Sequence, residues 1–98
     1  RAMPFNIIFV DDKRVVLAGG KETEKLVCGA EYNLNLVFVL AENRLLKRNV
    51  NIECHVDCIY ENENSPGLKC ISLKYEKLKE EDYRFLYERI TGKKYGTV

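Results

Sequence analysis

Residues 50–92, VNIECHVDCIYENENSPGLKCISLKYEKLKEEDYRFLYERITG, decide the fold, because they predict a β-hairpin that runs directly into one helix. In residues 51–60, apolar side chains occupy every second position, which is the period of a half-buried strand. Residues 61–67 then supply turn-forming asparagine, proline and glycine. Residues 68–73 resume the extended pattern, so the sequence predicts a hairpin with a long polar loop.

A C-terminal helix over about residues 79–91 is predicted by signals at both of its ends. Three carboxylates, Glu80, Glu81 and Asp82, stand in the first turn, where the helix dipole favours negative charge. From Tyr83 to Ile90, apolar residues recur at helical spacing and form one apolar face about 100° wide. Gly92 follows in the position of a C-terminal cap.

Upstream, the sequence predicts more strands. Residues 5–10 and 14–18 predict a first hairpin, and residues 32–40 form the strongest strand pattern in the chain. Residues 22–27 fit either a short strand or a loop. No alternation of strands and helices calls for a parallel sheet. Because a flat sheet would leave open edges, we expect a mainly β fold, a small antiparallel β-barrel of about six strands with one C-terminal helix packed against it.

The composition describes one ordinary globular domain over residues 1–98. The chain is 46% hydrophobic and 32% charged with a net charge of +1, so bulk charge does not draw it to nucleic acid. No apolar run approaches the roughly 18 residues of a membrane span. We therefore expect a soluble protein without membrane contact, and the reduced thiols expected below favour a cytoplasmic location. The first residue is Arg1 and not methionine, which indicates a fragment of a longer protein.

Four cysteines, Cys28, Cys54, Cys58 and Cys70, allow either a disulfide framework or a metal site in principle. Cys54 and Cys58 share the apolar phase of one strand and lie about 13 Å apart at extended rise, too far for a disulfide or for one zinc ion. We expect reduced thiols in the core. If Tyr60 pairs with Leu68, Cys58 faces Cys70 across the hairpin, and an oxidised pair stays open as an alternative.

No catalytic constellation stands out. His55, the only histidine, lies beside Asp57 on the polar phase of its strand, without a nucleophile nearby in sequence. The sequence therefore predicts no enzyme, no resident cofactor and no metal. Arginine favours bidentate phosphate contacts, so Arg14 and the cluster of Arg44, Lys47 and Arg48 are candidates for an anionic ligand, with a solvated loop as the alternative.

The chain resembles a PilZ domain, a small antiparallel barrel with a C-terminal helix found in bacterial cyclic di-GMP signalling. The resemblance lies in residues 50–90, where a strand, a glycine turn, a second strand and an acidic helix start follow in that order. It continues upstream in VVLAGGKETEKLVCGAEYNLNLVFVL, residues 15–40. What the resemblance implies is a barrel scaffold and a possible ligand, cyclic di-GMP.

The ligand motifs of the family are not intact in this chain. Members that bind cyclic di-GMP carry RxxxR before the barrel and [D/N]xSxxG on an early strand. Here Val15 and Leu17 stand at the polar positions of the second motif, and only Gly20 is kept. Arg1 is followed four residues later by Phe5, while RLLKR, residues 44–48, comes after the glycine motif. The resemblance therefore implies a degenerate, PilZ-like domain.

The expected function is a non-enzymatic PilZ-like module that acts as a protein-interaction or scaffold domain, with weak or no binding of cyclic di-GMP. Its partners are then other protein domains, including a neighbouring PilZ domain of the same chain. The first alternative is a genuine cyclic di-GMP receptor with non-standard arginines. The second is an OB-like barrel for single-stranded nucleic acid. The candidate nucleotide-binding residues are Arg1, Arg14, Gly20, Arg44 and Arg48.

Overall fold

The computed structural model describes residues 5–20, 25–40, 46–64 and 66–96. They form five strands and one helix: β1 (Phe5–Val10), β2 (Arg14–Gly19), β3 (Glu31–Val39), β4 (Lys47–Glu61), β5 (Lys69–Lys77) and α1 (Glu80–Thr91). Every neighbouring pair is antiparallel, in the order β1-β2-β5-β4-β3. The strands β3 to β5 are a meander, and β5 joins this meander to the β1–β2 hairpin.

The sheet curls into a half-barrel that does not close. The prediction of a mainly β, antiparallel domain with one C-terminal helix is confirmed, but five strands are present in the described residues and not six. Residues 25–27, the described part of the segment 22–27 that fits either a strand or a loop, form no strand, and a turn at Gly29 follows them. Residues 22–24 lie outside the described residues. Within the described part of the chain, no strand therefore joins β1 to β3.

The hydrophobic core fills the concave side of the sheet. Val15, Leu73 and Val56 lie side by side on the three central strands and are at most 1% exposed. The helix α1 adds Leu86, which is fully buried. Partly buried aromatic and aliphatic side chains of α1 surround Leu86: Tyr83, Phe85 and Ile90.

A β-bulge in β4 reverses the direction of its side chains after Val56. Val56 pairs with Leu73, but Cys58 pairs with Ser72, so Asp57 is an extra residue. As a result Ile59 packs against the core, while Cys58 is exposed. The prediction that Cys58 lies in the core is wrong, because one inserted residue shifts the alternation that the sequence suggested.

The ends of α1 agree with the sequence signals. Lys79 is the N-cap in an extended conformation, and its carbonyl oxygen accepts a hydrogen bond from the amide of Asp82. Gly92 takes a left-handed conformation with φ of 71°, and its amide donates to the carbonyl oxygen of Glu88. This conformation is accessible to glycine at little cost, so α1 ends where the sequence predicts.

Replacing Leu86 with alanine tests the docking of α1. Because Leu86 is fully buried, Leu86→Ala is expected to lower the free energy of unfolding by about 2 to 5 kcal/mol in urea denaturation. Leu46→Ala is the control, since Leu46 is 55% exposed and its loss is expected to change the free energy little. Equal effects of the two substitutions would contradict the docked position of α1.

Candidate functional site

The structure describes three of the five candidate nucleotide-binding residues. Arg14 begins β2, Gly20 follows its last residue, and Arg48 lies near the start of β4. Arg1 and Arg44 lie outside the described residues. The candidate site is therefore assessed at Arg14, Gly20 and Arg48.

Arg14 belongs to a polar row on the convex face of the sheet. In register across four strands lie Arg14, Lys74, His55 and Glu31. Asp57 forms ion pairs with Arg14 and with Lys74. Its carboxylate oxygens lie 3.6 Å from Arg14 Nη1 and 3.6 Å from Lys74 Nζ. Arg14 is thus already matched by a carboxylate of the same surface.

His55 is paired with a carboxylate, but not with the one suggested by sequence spacing. Its Nδ1 is hydrogen-bonded to a carboxylate oxygen of Glu76 on β5, while Asp57 binds Arg14 and Lys74. This contact joins the side chains of neighbouring strands β4 and β5 on the convex face.

Arg48 holds α1 against β4. Its Nη2 donates to Oδ1 of Asp82 at 3.1 Å, and its guanidinium lies 4.6 Å from the centre of the Phe85 ring. Both contacts are to α1, one electrostatic and one of the cation–π kind. The guanidinium of Arg48 therefore has a structural role in the described fold.

Arg14 and Arg48 do not converge on one ligand. Arg48 shares the inward phase of β4 with Val50 and Ile52, whereas Arg14 lies on the convex face. His55, which belongs to the same row as Arg14, lies seven positions after Arg48 on β4, about 23 Å away at the usual rise. Nucleotide binding by either arginine stays a prediction.

The polar positions expected from the PilZ resemblance are core positions here. Val15 is fully buried and Leu17 is 1% exposed, and both belong to the main core cluster. A polar side chain at either position would be buried, at a cost unless it found a hydrogen-bond partner. The aliphatic residues thus stabilise the scaffold at positions where the family's receptors contact ligand.

An open depression of about 380 Å³ lies between the start of β3, the middle of β4 and the end of β5. Its lining is acidic and includes Glu31, Glu53 and Glu76 beside Cys54. Burial, with a smaller effect of Glu76, raises the pKa of Cys54 to about 11, so its thiol stays protonated at neutral pH. Among the described residues, no group of three or more acidic, cysteine or histidine side chains is arranged to hold a metal ion. Negative charge here disfavours a phosphate ligand.

The open side of the half-barrel is a seam between β1 and β3. A groove of about 250 Å³ lies there, closed at one end by α1. Six of the eight residues that line it have apolar side chains: Phe5, Asn6, Ile7, Leu36, Val37, Phe38, Arg89 and Ile90. Exposed apolar side chains flank the groove on both strands, such as Ile8 at 47% and Val37 at 54%. The seam thus combines apolar side chains with exposed backbone polar groups.

Among the described strands, none pairs with the outer edge of β3, which borders this seam. Hydrogen bonds from Val56 N–H to Ala30 and from Leu40 N–H to Leu46 show that the even positions face β4. By the alternation of antiparallel pairing, the odd residues from Glu31 to Val39 turn their amides and carbonyls outward. At the end of the edge, Arg89 Nη2 donates to the carbonyl oxygen of Val39 at 3.2 Å.

The position of β3 at an edge of the sheet was not predicted from the sequence, although the composition of β3 was informative. An exposed edge strand is usually protected by lysine, proline or a bulge. The segment EYNLNLVFV, residues 31–39, has none of these, and Glu31 is its only charged residue. An unprotected strand of this kind is typical of a central strand or of an edge that receives a partner.

Comparison with protein-family models, curated proteins and solved structures gives no match. In the described part of the chain, no helix has the length and apolar character needed to cross a membrane.

A double-mutant cycle tests the structural role of Arg48. Arg48→Met and Asp82→Asn are each expected to destabilise the fold, with a coupling energy of about 1 kcal/mol in urea denaturation because the two side chains form one ion pair. Lys47→Met, at the exposed neighbouring position, is the control and is expected to show no coupling with Asp82→Asn. Additive effects of Arg48→Met and Asp82→Asn would contradict the role of Arg48 in holding α1 against β4.

Thiol accessibility tests the bulge in β4. With Ellman's reagent, we expect Cys28 and Cys58 to react rapidly, and Cys54 and Cys70 to react only on unfolding, because the latter two are buried. No disulfide between Cys58 and Cys70 is expected, since Tyr60 pairs with Cys70 and places Cys58 opposite Ser72. A Cys58–Cys70 disulfide found by mass spectrometry, or slow labelling of Cys58, would contradict this register.

Proposed function

We propose that this chain is a non-enzymatic protein-interaction module, PilZ-like in sequence, whose contact surface is the free edge of β3. The open seam is the observation that carries the proposal, because an uncovered strand edge with apolar flanks binds another strand by backbone hydrogen bonds. The setting in bacterial cyclic di-GMP signalling rests on the sequence resemblance alone.

Weak or absent cyclic di-GMP binding is supported by the state of the candidate residues. Arg14 and Arg48 are matched by Asp57 and Asp82, so a phosphate would have to displace an existing partner. Val15 and Leu17 face the core and offer no polar atom to a nucleotide. Each missing charged hydrogen bond removes about 1.5 to 3 kcal/mol from a binding site, so several together lower affinity by orders of magnitude.

The interaction role is supported by the shape of β3. Its nine residues pair with β4 without any register shift, so β3 has no bulge that would interrupt pairing with a partner strand. The edge of β1 is less suited to a partner, because Ile8 is an extra, bulged residue between Ile7 and Phe9. A partner strand on β3 would meet Tyr32, Leu34 and Phe38, which are only partly buried.

Calorimetric titration tests the nucleotide half of the proposal. We expect no measurable heat on adding cyclic di-GMP to the purified chain. Micromolar or tighter binding would overturn this half. In that event, charge reversal at Arg14 should abolish the binding if Arg14 is a ligand, and charge reversal at Glu63, in the exposed turn after β4, should not.

Selection from a displayed library of random nine-residue peptides tests the interaction half. We expect peptides with apolar residues at alternate positions, since such a strand covers the inward side chains of β3. Binding of the selected peptides should be lost in Asn35→Pro, which removes one outward amide, and kept in Asn35→Thr. Selection of nothing above background, or equal binding to both variants, would sink the proposal.

A further inference from the structure

Two exposed cysteines lie close together at the bulge of β4. Cys28 and Cys58 are both exposed. The thiol of Cys28 donates to the backbone carbonyl oxygen of Asp57, with its Sγ atom 3.5 Å away. That oxygen belongs to the peptide unit that joins Asp57 to Cys58, so it lies about 2.8 Å from the Cα atom of Cys58. The sulfur of Cys28 is therefore at most about 6.3 Å from the Cα atom of Cys58.

A turn over residues 27–30 holds Cys28 beside β4. The amide of Ala30 donates to the carbonyl oxygen of Val27 at 3.0 Å, and Gly29, at the third position of the turn, has a φ of 86°. On the side of β4, the amide of Gly29 donates to the carbonyl oxygen of Val56 at 2.8 Å. The amide of Val56 donates in turn to the carbonyl oxygen of Ala30 at 2.9 Å. These hydrogen bonds fix the turn against β4 at the point where the bulge begins.

The bulge makes the second thiol accessible. Cys58 lies opposite Ser72, which belongs to the convex phase of β5, so the thiol of Cys58 is on the convex face. Without the extra residue Asp57, the alternation would place Cys58 on the same side as the buried residues Cys54 and Val56. The bulge thus brings one thiol to the surface next to the turn that carries the other.

The two remaining cysteines are poorer partners for Cys58. Cys54 is buried on the concave side of the sheet. Cys70 is buried as well, and it lies opposite Tyr60 and not opposite Cys58. Buried thiols are inert toward reagents in solution unless the fold opens. Exposure and position therefore both favour Cys28 as the partner of Cys58.

We propose that Cys28 and Cys58 form a reversible redox modification site, which glutathione disulfide converts to an intramolecular disulfide. The thiolate of one cysteine attacks a sulfur atom of glutathione disulfide, and one glutathione leaves as its thiolate. The thiolate of the other cysteine then attacks the protein sulfur of this mixed disulfide, and the second glutathione leaves. Two protein thiols are oxidised, one glutathione disulfide is reduced to two glutathione molecules, and the two thiol protons pass to the leaving thiolates.

The bond would join the turn before β3 to the bulge of β4. It closes the loop between residues 28 and 58, which contains the whole of β3. A cross-link of this kind stabilises a fold mainly because it restricts the unfolded chain. The bond fixes the start of β3 under oxidising conditions and releases it under reducing conditions. It does not involve the seam between β1 and β3, so this inference is independent of the proposed function.

Equilibration in glutathione buffers tests the site. The chain is incubated, folded or unfolded in urea, with a series of mixtures of reduced and oxidised glutathione, and peptide mapping by mass spectrometry measures the fraction joined as Cys28–Cys58. Because the fold holds the two thiols together, the folded chain should be half oxidised under conditions about tenfold or more reducing than those that half oxidise the unfolded chain. By linkage, the oxidised chain should also have a higher urea midpoint of unfolding than the reduced chain.

Cysteine replacements separate this pair from the other thiols. Cys28→Ser and Cys58→Ser should each abolish the cross-link and leave the remaining exposed cysteine as a glutathione adduct. Both positions are exposed, so circular dichroism should show a retained fold. Cys70→Ala is the matched control, since it removes a buried thiol, and it should keep the Cys28–Cys58 cross-link.

Three results would overturn the inference. The first is glutathione adducts on both Cys28 and Cys58 of the folded wild-type chain without a cross-link. The second is a cross-link that forms as readily in the unfolded chain as in the folded one. The third is oxidation of Cys58 to a disulfide with Cys70, or with a second chain, in place of the bond to Cys28.

Discussion

The central position of β5 is the constraint on which the rest of the structure depends. β5 pairs with β2 on one side and with β4 on the other, and thereby joins two hairpin units that are separate in sequence. Ile71 and Leu73 of β5 are fully buried at the centre of the concave face. Because these pairings use both edges of β5, the free edges of the sheet fall on β1 and β3.

The helix α1 covers part of the concave face and decides what the nearby arginines do. Leu86 enters the core, and Arg48 reaches from β4 to Asp82 and Phe85 of the helix. A guanidinium engaged in this way stabilises the docked helix and is not available to a phosphate without cost. The end of the same helix reaches the groove between β1 and β3, where Arg89 and Ile90 are among the lining residues.

Sequence patterns predicted the strands and the helix better than they predicted which side chains face the core and which residues contact each other. The period of two identified β1 to β5, and the acidic start and Gly92 located α1, because these signals act between residues near each other in the chain. The alternation in β4 predicted an inward Cys58, and the bulge at Asp57 made it exposed. The sequence made Arg48 a candidate to bind an anionic ligand, whereas in the structure it binds Asp82, which lies 34 residues away in the chain. A one-residue insertion or a distant carboxylate leaves no trace in local periodicity.

The sequence by itself determined the antiparallel, mainly β character, the order of elements and the ends of α1. It also determined that residues 31–39 contain no lysine or proline and only one charged residue, Glu31. Only the tertiary structure decided that the sheet stays open, that Val15 and Leu17 face the core, and that β3 lies at an edge. The physical reason is that the position of a strand at the edge or the centre of a sheet depends on which strands pair with it across long loops. That pairing depends in turn on the apolar surface buried over the whole sheet.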